Sequence, residues 1–91
     1  MADITDPNRL LPGEQTSISS GNLEDVKHWV SVYAELVDFK DALLDEIHNQ
    51  GEQVSDEGRA ELANDEKLLQ AEAARLKRRL EYWQGVLAKR Q

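Results

Sequence analysis

Histidine and acidic side chains are the groups in this sequence whose spacing could suit a metal ion. His28 and His48 are 20 positions apart on one predicted helix, which separates them by roughly 30 Å. Glu24 stands one helical turn before His28, and Asp45 stands about one turn before His48. Zinc sites in proteins use at least three protein ligands, and each histidine here has a single carboxylate nearby. The sequence therefore predicts no metal site and no cofactor, with both histidines solvated or capping a helix.

A run of acidic residues occupies the middle of the chain. Nine carboxylates lie from Asp41 to Glu66, against one basic residue, Arg59. General acid–base catalysis needs a pair of carboxyl groups held in a shaped pocket that shifts their pKa values, and the tip of a helical hairpin offers none. The sequence also lacks a Gly-rich phosphate loop, a Ser-His-Asp set and any cysteine nucleophile. We interpret the run as a solvated acidic tip or as a docking surface for a basic partner, and we assign no catalytic residue.

Basic residues gather near the C-terminus. Arg75, Arg78 and Arg79 precede Tyr82 and Trp83, and cations interleaved with aromatic rings can hold phosphates or stack on bases. Acidic residues of the preceding helix are expected to lie across from this run, so ion pairing within the protein is the simplest interpretation. A basic protein-binding surface, and an anion- or nucleotide-binding site made by the three arginines, are the alternatives.

The composition limits the class of protein. The 91 residues carry a net charge of −7, which argues against general nucleic-acid binding and against binding to anionic membranes. Because there is no cysteine, disulfides cannot stabilise the small core, and association with a partner is the remaining route. The N-terminus has no signal-peptide pattern, and no apolar segment approaches about 18 residues. We therefore expect a cytoplasmic protein that does not enter a membrane.

The spacing of apolar residues predicts an all-α, coiled-coil-like helical hairpin. Residues 22–50 should form the first helix, with Asn22 as its N-cap. A short turn at 51–55 should reverse the chain, and the second helix should cover about 56–89. Residues 1–21 contain both prolines and show no periodicity, so they are expected to form a flexible, irregular N-terminal arm.

Two apolar stripes run along the first helix, and one of them fits the second helix. The fitted stripe has Lys40 as its only polar member, and the matching stripe of the second helix has Glu66 as its only acid. Pairing residues whose numbers sum to 106 sets Lys40 against Glu66 and Tyr33 against Ala73. A single polar layer in an apolar seam fixes the register of two helices. We therefore predict an antiparallel pairing with a Lys40–Glu66 contact.

The other stripe of the first helix finds no partner within the hairpin. It consists of Trp29, Val32, Leu36, Phe39 and Leu43. Side chains of this size in one row would expose a patch of several hundred Å², more than soluble monomers usually show. Burial is expected in a four-helix bundle of two copies, with Leu36 against Leu36. A helical partner protein, or cover by the N-terminal arm, are the alternatives.

The predicted architecture resembles that of small bacterial regulators built from an antiparallel two-helix hairpin. One of these is an actinobacterial anti-sigma factor that binds a cyclic dinucleotide through a repeated pattern of Glu, Ser, Arg, Gln and Asp. Neither helix here carries that pattern, so the resemblance concerns architecture and transfers no residue. The sequence thus predicts a non-enzymatic protein–protein interaction module, a homodimeric adaptor or regulator. An anti-sigma-like hairpin that senses an anion or nucleotide is the alternative.

Overall fold

The protein forms an all-helical structure, as a computed structural model shows for residues 9–50 and 54–90. Its elements in chain order are α1 (Glu14–Ser20), α2 (Leu23–Gln50) and α3 (Asp56–Arg90). α2 packs against α3, and the predicted all-α class is confirmed. Over the described part of the chain, no helix is long and apolar enough to cross a bilayer. Residues 1–8 of the predicted arm, and most of the predicted turn, lie outside the described residues.

Short polar side chains start the two long helices. The backbone N–H of Glu24 donates to Oδ1 of Asn22 at 2.8 Å, so Asn22 caps α2 as predicted. Ser55 caps α3, where its Oγ accepts from the N–H of Gly58 at 3.1 Å. Acidic residues occupy the first turn of both helices, where they suit the positive end of the helix dipole. Local sequence thus sets where each helix begins.

Two contacts between α2 and α3 give their direction. The rings of Trp29 and Trp83 stack with their centroids 6.3 Å apart. Further along α2, Nζ of Lys40 lies 2.5 Å from Oε2 of Glu72. Because the residue numbers rise along α2 while those of their partners fall along α3, the two helices are antiparallel, as predicted.

The predicted register between these helices is wrong. Lys40 pairs with Glu72, which lies six residues further along α3 than Glu66. Glu66 instead lies 3.2 Å from Nδ1 of His48. Both acids face α2, so charge pairing alone did not distinguish one register from the other. The observed register is the one that stacks the two tryptophans, since burying two indole rings contributes more than the choice between two ion pairs.

The core lies in one half of the hairpin. Its buried apolar residues are Val26, Trp29, Tyr33, Val37, Ala73, Leu76 and Trp83. We call residues 9–40 and 72–90, which contain this core and α1, the closed half of the hairpin. Residues 41–50 and 56–71 are the distal half. None of the distal residues is buried. The main apolar side chains of its seam, which reach only partial burial, are Leu44, Ile47, Leu62 and Leu69.

Residues 14–20 form α1, so the prediction of an irregular arm is wrong for this part of the chain. α1 begins after Gly13 and ends before Gly21, whose φ angles of 86° and 65° lie in the left-handed region that glycine adopts most easily. Leu11 and Ile18 pack from this segment against the hydrophobic core. A helix this short has little stability of its own, so its packing against the hairpin must hold it.

Gly21 and Gly85 together test this backbone requirement. Gly21→Ala should lower the free energy of unfolding by about 1 kcal/mol, since alanine resists the left-handed conformation. Its Cβ would also lie 2.5 Å from Nη2 of Arg90. Gly85→Ala is the control, because a Cβ there meets nothing within 4 Å, and it should raise the free energy of unfolding by roughly 0.5–1 kcal/mol. Urea denaturation measures both, and equal effects of the two substitutions would contradict this account of α1.

Candidate functional site

The apolar stripe of α2 that was predicted to lack a partner within the hairpin has a covered part and an exposed part. Its members are Trp29, Val32, Leu36, Phe39 and Leu43. Trp29 is only 7% exposed, whereas Phe39 is 59% exposed. Val32 and Leu36 pack against the edge of the core, and Leu43 is half-buried. The prediction that all five residues lack cover within one chain is therefore wrong for Trp29.

The N-terminal segment and Trp83 of α3 together cover this end of the stripe. Leu11 and Ile18 pack against the core cluster that contains Trp29. Oγ of Ser17 donates to Oδ2 of Asp25 at 3.3 Å, which joins α1 to the first turns of α2. Cover by the arm was one of the three alternatives for the stripe. Together with the stacked Trp83 ring, the arm covers Trp29, and it leaves Phe39 at the other end exposed.

Glu14 is the centre of a buried polar cluster that joins all three helices. Its side chain has no exposed surface. Oε1 accepts hydrogen bonds from the Tyr33 hydroxyl at 2.5 Å and from the backbone N–H of Leu11 at 3.0 Å. Oε2 accepts from Nε1 of Trp83 at 2.8 Å, from Nε of Arg79 at 3.0 Å, and from Nη2 of the same arginine. We call Glu14 with its three side-chain donors the Glu14 cluster.

The cluster shifts the protonation equilibria of its members. Burial alone would raise the pKa of Glu14, but the hydrogen bonds from its donors outweigh burial and hold that pKa below its ordinary value of 4.5. Burial and the bond to the Glu14 carboxylate raise the pKa of Tyr33 to about 12. Burial would lower the pKa of Arg79, yet the carboxylate beside it outweighs burial and raises that pKa. At neutral pH the cluster is therefore an anion held by a cation and neutral donors.

The Glu14 carboxylate has little capacity left for chemistry. It receives five hydrogen bonds, while a carboxylate offers about four lone-pair sites. A general base needs a lone pair within reach of a substrate proton. The arrangement instead suits a structural role, in which one acid fixes the position of α1 on the hairpin.

The three arginines predicted to bind an anion together are not brought to one place within the chain. Arg79 is engaged by Glu14, and its guanidinium also lies 4.5 Å from the centroid of the Tyr82 ring. Arg78 is exposed. Arg75 is 6% exposed and lines a pocket with other residues. Positions 75, 78 and 79 have the i, i+3, i+4 spacing of one helix face, so the spacing alone predicts that they lie together. The divergence comes from their neighbours, because Glu14 of α1 engages Arg79 while Arg75 lies beside the backbone of Arg9.

The Arg75 pocket lies between the segment that precedes α1 and the two long helices, and has a volume of about 270 Å³. Its other lining residues are Arg9, Leu11, Leu36, Lys40, Glu72 and Leu76. Nε of Arg75 is buried and has no hydrogen-bond partner, and Nη1 donates to the backbone oxygen of Arg9 at 3.5 Å. Among the described residues, no carboxylate forms an ion pair with this guanidinium. The pocket thus contains a buried cation that is poorly satisfied.

The two histidines lie at separate places. His28 packs edge-on against the Trp29 ring, with 5.3 Å between centroids. His48 lies in the distal half, beside Glu66. Within residues 9–50 and 54–90, no group of three His, Cys, Asp or Glu side chains is placed to hold a metal ion.

Sequence reasoning missed Glu14, although two signals indicated a buried acceptor. Tyr33 and Trp83 both fall on the apolar seam, and a buried phenol or indole N–H needs a hydrogen-bond partner. Arg79 stands one helical turn before Trp83, so a cation is close to that donor. A carboxylate satisfies all three groups at once. Periodicity cannot say which of the 18 acidic residues supplies it.

Comparison with known protein families, curated proteins and solved structures finds no match to this chain. Its own geometry offers two surfaces on which a function can be based. One is the exposed Phe39 end of the stripe together with the loosely packed distal half. The other is the Arg75 pocket.

Glu14→Gln tests the structural role of the cluster. At neutral pH the substitution should lower the free energy of unfolding by about 3 kcal/mol, since it leaves Arg79 without its anion and gives the other donors a weaker acceptor. Because the pKa of Glu14 is lowered in the folded protein, its contribution is full above 4.5 and is lost as the pH falls through the folded value. The difference between the wild type and the variant should therefore shrink on acidification. Urea denaturation over about pH 3–7 measures it.

Glu35→Gln is the matched control, because Glu35 is an exposed acid of α2. Its effect on the free energy of unfolding should stay below about 0.5 kcal/mol at each pH. A difference between wild type and Glu14→Gln that does not change with pH would contradict a charged Glu14. Tyr33 should give the opposite pH dependence, because its pKa is raised in the folded protein. The stability that Tyr33 contributes is full below pH 10 and is lost as the pH rises toward about 12.

Proposed function

We propose that the protein is a non-enzymatic helical-hairpin interaction module that binds a second copy of itself and acts as an adaptor or regulator. The observation that carries the proposal is the distal half, where no described residue is buried. At its edge, Phe39 is the most exposed of the large apolar side chains described. Large apolar side chains left exposed in this way are typical of association sites.

Apolar side chains on both helices of the distal half contribute to this surface. Leu68 of α3 is exposed, and Leu43 of α2 is half-buried. A pocket of about 200 Å³ opens near the distal end, with Ile47 and Leu62 in its lining. Two helices alone cannot bury the apolar side chains between them, because water still reaches those side chains from both sides of the pair. Two further helices close such a seam in a four-helix bundle.

The charges along α3 favour a second copy in the opposite orientation. Residues 56–72 contain six acids and two bases, and residues 73–90 contain six bases and one acid. An antiparallel copy sets the acidic half of each α3 beside the basic half of the other, whereas a parallel copy sets like charges together. Exposed Arg78, Lys89 and Arg90 supply the basic side of this contact. A partner of uniform charge would match only one half.

The dimensions of the chain suit such an interface. The described residues extend over 51 × 28 × 15 Å. A standard interface takes roughly 800 Å² from each partner, which the broad face of the hairpin can supply. Phe39 lies close to the middle of α2, so a two-fold axis near it lets both copies use the same surface.

Phe39→Asp tests the proposal by sedimentation equilibrium. With rising concentration the wild type should change from the 10.3 kDa monomer toward twice that mass, because mass action drives self-association. Phe39→Asp should stay monomeric over the same range, since it introduces a charge into the apolar contact. Ser31→Asp adds the same charge at another exposed position of α2 and should dimerise like the wild type.

The salt dependence of the dimer tests its antiparallel arrangement. Raising NaCl from about 0.05 M to about 0.5 M should weaken the dimer roughly tenfold, because salt screens the attraction between the acidic and basic halves of α3. Tighter association at high salt would contradict the arrangement. A wild type that stays monomeric at every concentration would overturn the homodimer and leave a different helical protein as the partner.

A further inference from the structure

We infer that the Arg75 pocket is a binding site for a small carboxylate with an apolar body. The pocket lies in the closed half, where the segment before α1 meets α2 and α3. It is therefore separate from the distal half, and the inference does not rest on self-association. It combines a charged group that lacks a partner with apolar walls.

The charged group is the Arg75 guanidinium. The side chain is 6% exposed, its Nε has no hydrogen-bond partner, and the bond from Nη1 to the Arg9 backbone oxygen is at the 3.5 Å limit. Arginine is always charged in proteins, so a buried charge is left here with weak compensation. Such a charge is unfavourable unless a counter-ion approaches. A carboxylate matches the planar fork of a guanidinium better than a spherical anion does.

The charges around the pocket leave a net attraction for an anion. Lys40 is already paired with Glu72 at 2.5 Å. The guanidinium groups of Arg9 and Arg75 have no such acidic partner among the described residues. Three cations against one acid therefore line the pocket, and two of those cations form no ion pair with any residue of 9–50 and 54–90.

The remaining walls select the body of the ligand. Leu11, Leu36 and Leu76 line the pocket from the N-terminal segment and from both long helices. Its volume of about 270 Å³ is at the small end of the range for ligand sites, roughly 300–1,000 Å³. Apolar walls do not replace the water around a fully hydrated ion such as phosphate. A short acyl chain or a single ring attached to a carboxylate fits both features.

Thermal unfolding with hexanoate and benzoate tests this site. At a ligand concentration about ten times Kd, either compound should raise Tm by about 5–10 °C. Hexanol, which has a similar apolar chain without the charge, and inorganic phosphate, which has the charge without the chain, should leave Tm unchanged. Arg75→Met should abolish the response to the carboxylates, and Arg78→Met, at an exposed position on the same helix, should retain it.

The Arg75→Met variant is expected to fold, because it removes a poorly paired buried charge and keeps an apolar stem; its own Tm should equal or exceed that of the wild type. Equal stabilisation by hexanol, or by phosphate alone, would overturn the assignment of an apolar carboxylate. A full carboxylate response in Arg75→Met would overturn the site. Phe39→Asp should respond like the wild type, so failure of this site and failure of the proposed dimer can be told apart.

Discussion

The carboxylate of Glu14, buried among a phenol, an indole and a guanidinium, ties the shortest helix to the two long ones. Taking a carboxylate out of water is costly unless charged and neutral donors replace the lost hydration. Tyr33 of α2 and Trp83 and Arg79 of α3 supply those donors. The position of α1, and with it the cover that the N-terminal segment gives to Trp29, depend on this one set of hydrogen bonds.

The cluster also explains why the two halves of the hairpin differ. Where the N-terminal segment reaches, three helices contribute to a buried core. Beyond Lys40 only α2 and α3 remain among the described residues, and a pair of helices leaves the flanks of its seam in contact with water. The proposed self-association follows from this asymmetry, since it places further helices where the chain provides none. The Phe39 side chain lies at the boundary between the two halves.

Three arginines within one and a half turns of α3 have three different environments. Arg79 belongs to the Glu14 cluster, Arg78 is exposed, and Arg75 is buried in a pocket where no acid of the described residues pairs with it. A basic run in a sequence therefore does not define one surface. Burial is what makes Arg75 the candidate anion-binding residue among the three. A cation attracts an anion far more strongly in an apolar pocket than in water.

Much of the fold could be predicted from the sequence, because helix class, helix ends and direction depend on residues close together in the chain. The three-to-four-residue spacing and the cap at Asn22 gave the two long helices, and their short connection gave the antiparallel hairpin. Register and the candidate sites could not be obtained in this way. The spacing indicated Glu66 as the partner of Lys40, whereas the structure pairs Lys40 with Glu72 in the register that stacks two distant tryptophans. Glu14 and Arg79 are 65 positions apart, and no local pattern links residues at that separation. Only the tertiary structure brings such residues together, since packing of the whole chain determines which polar groups leave water and which partners they then need.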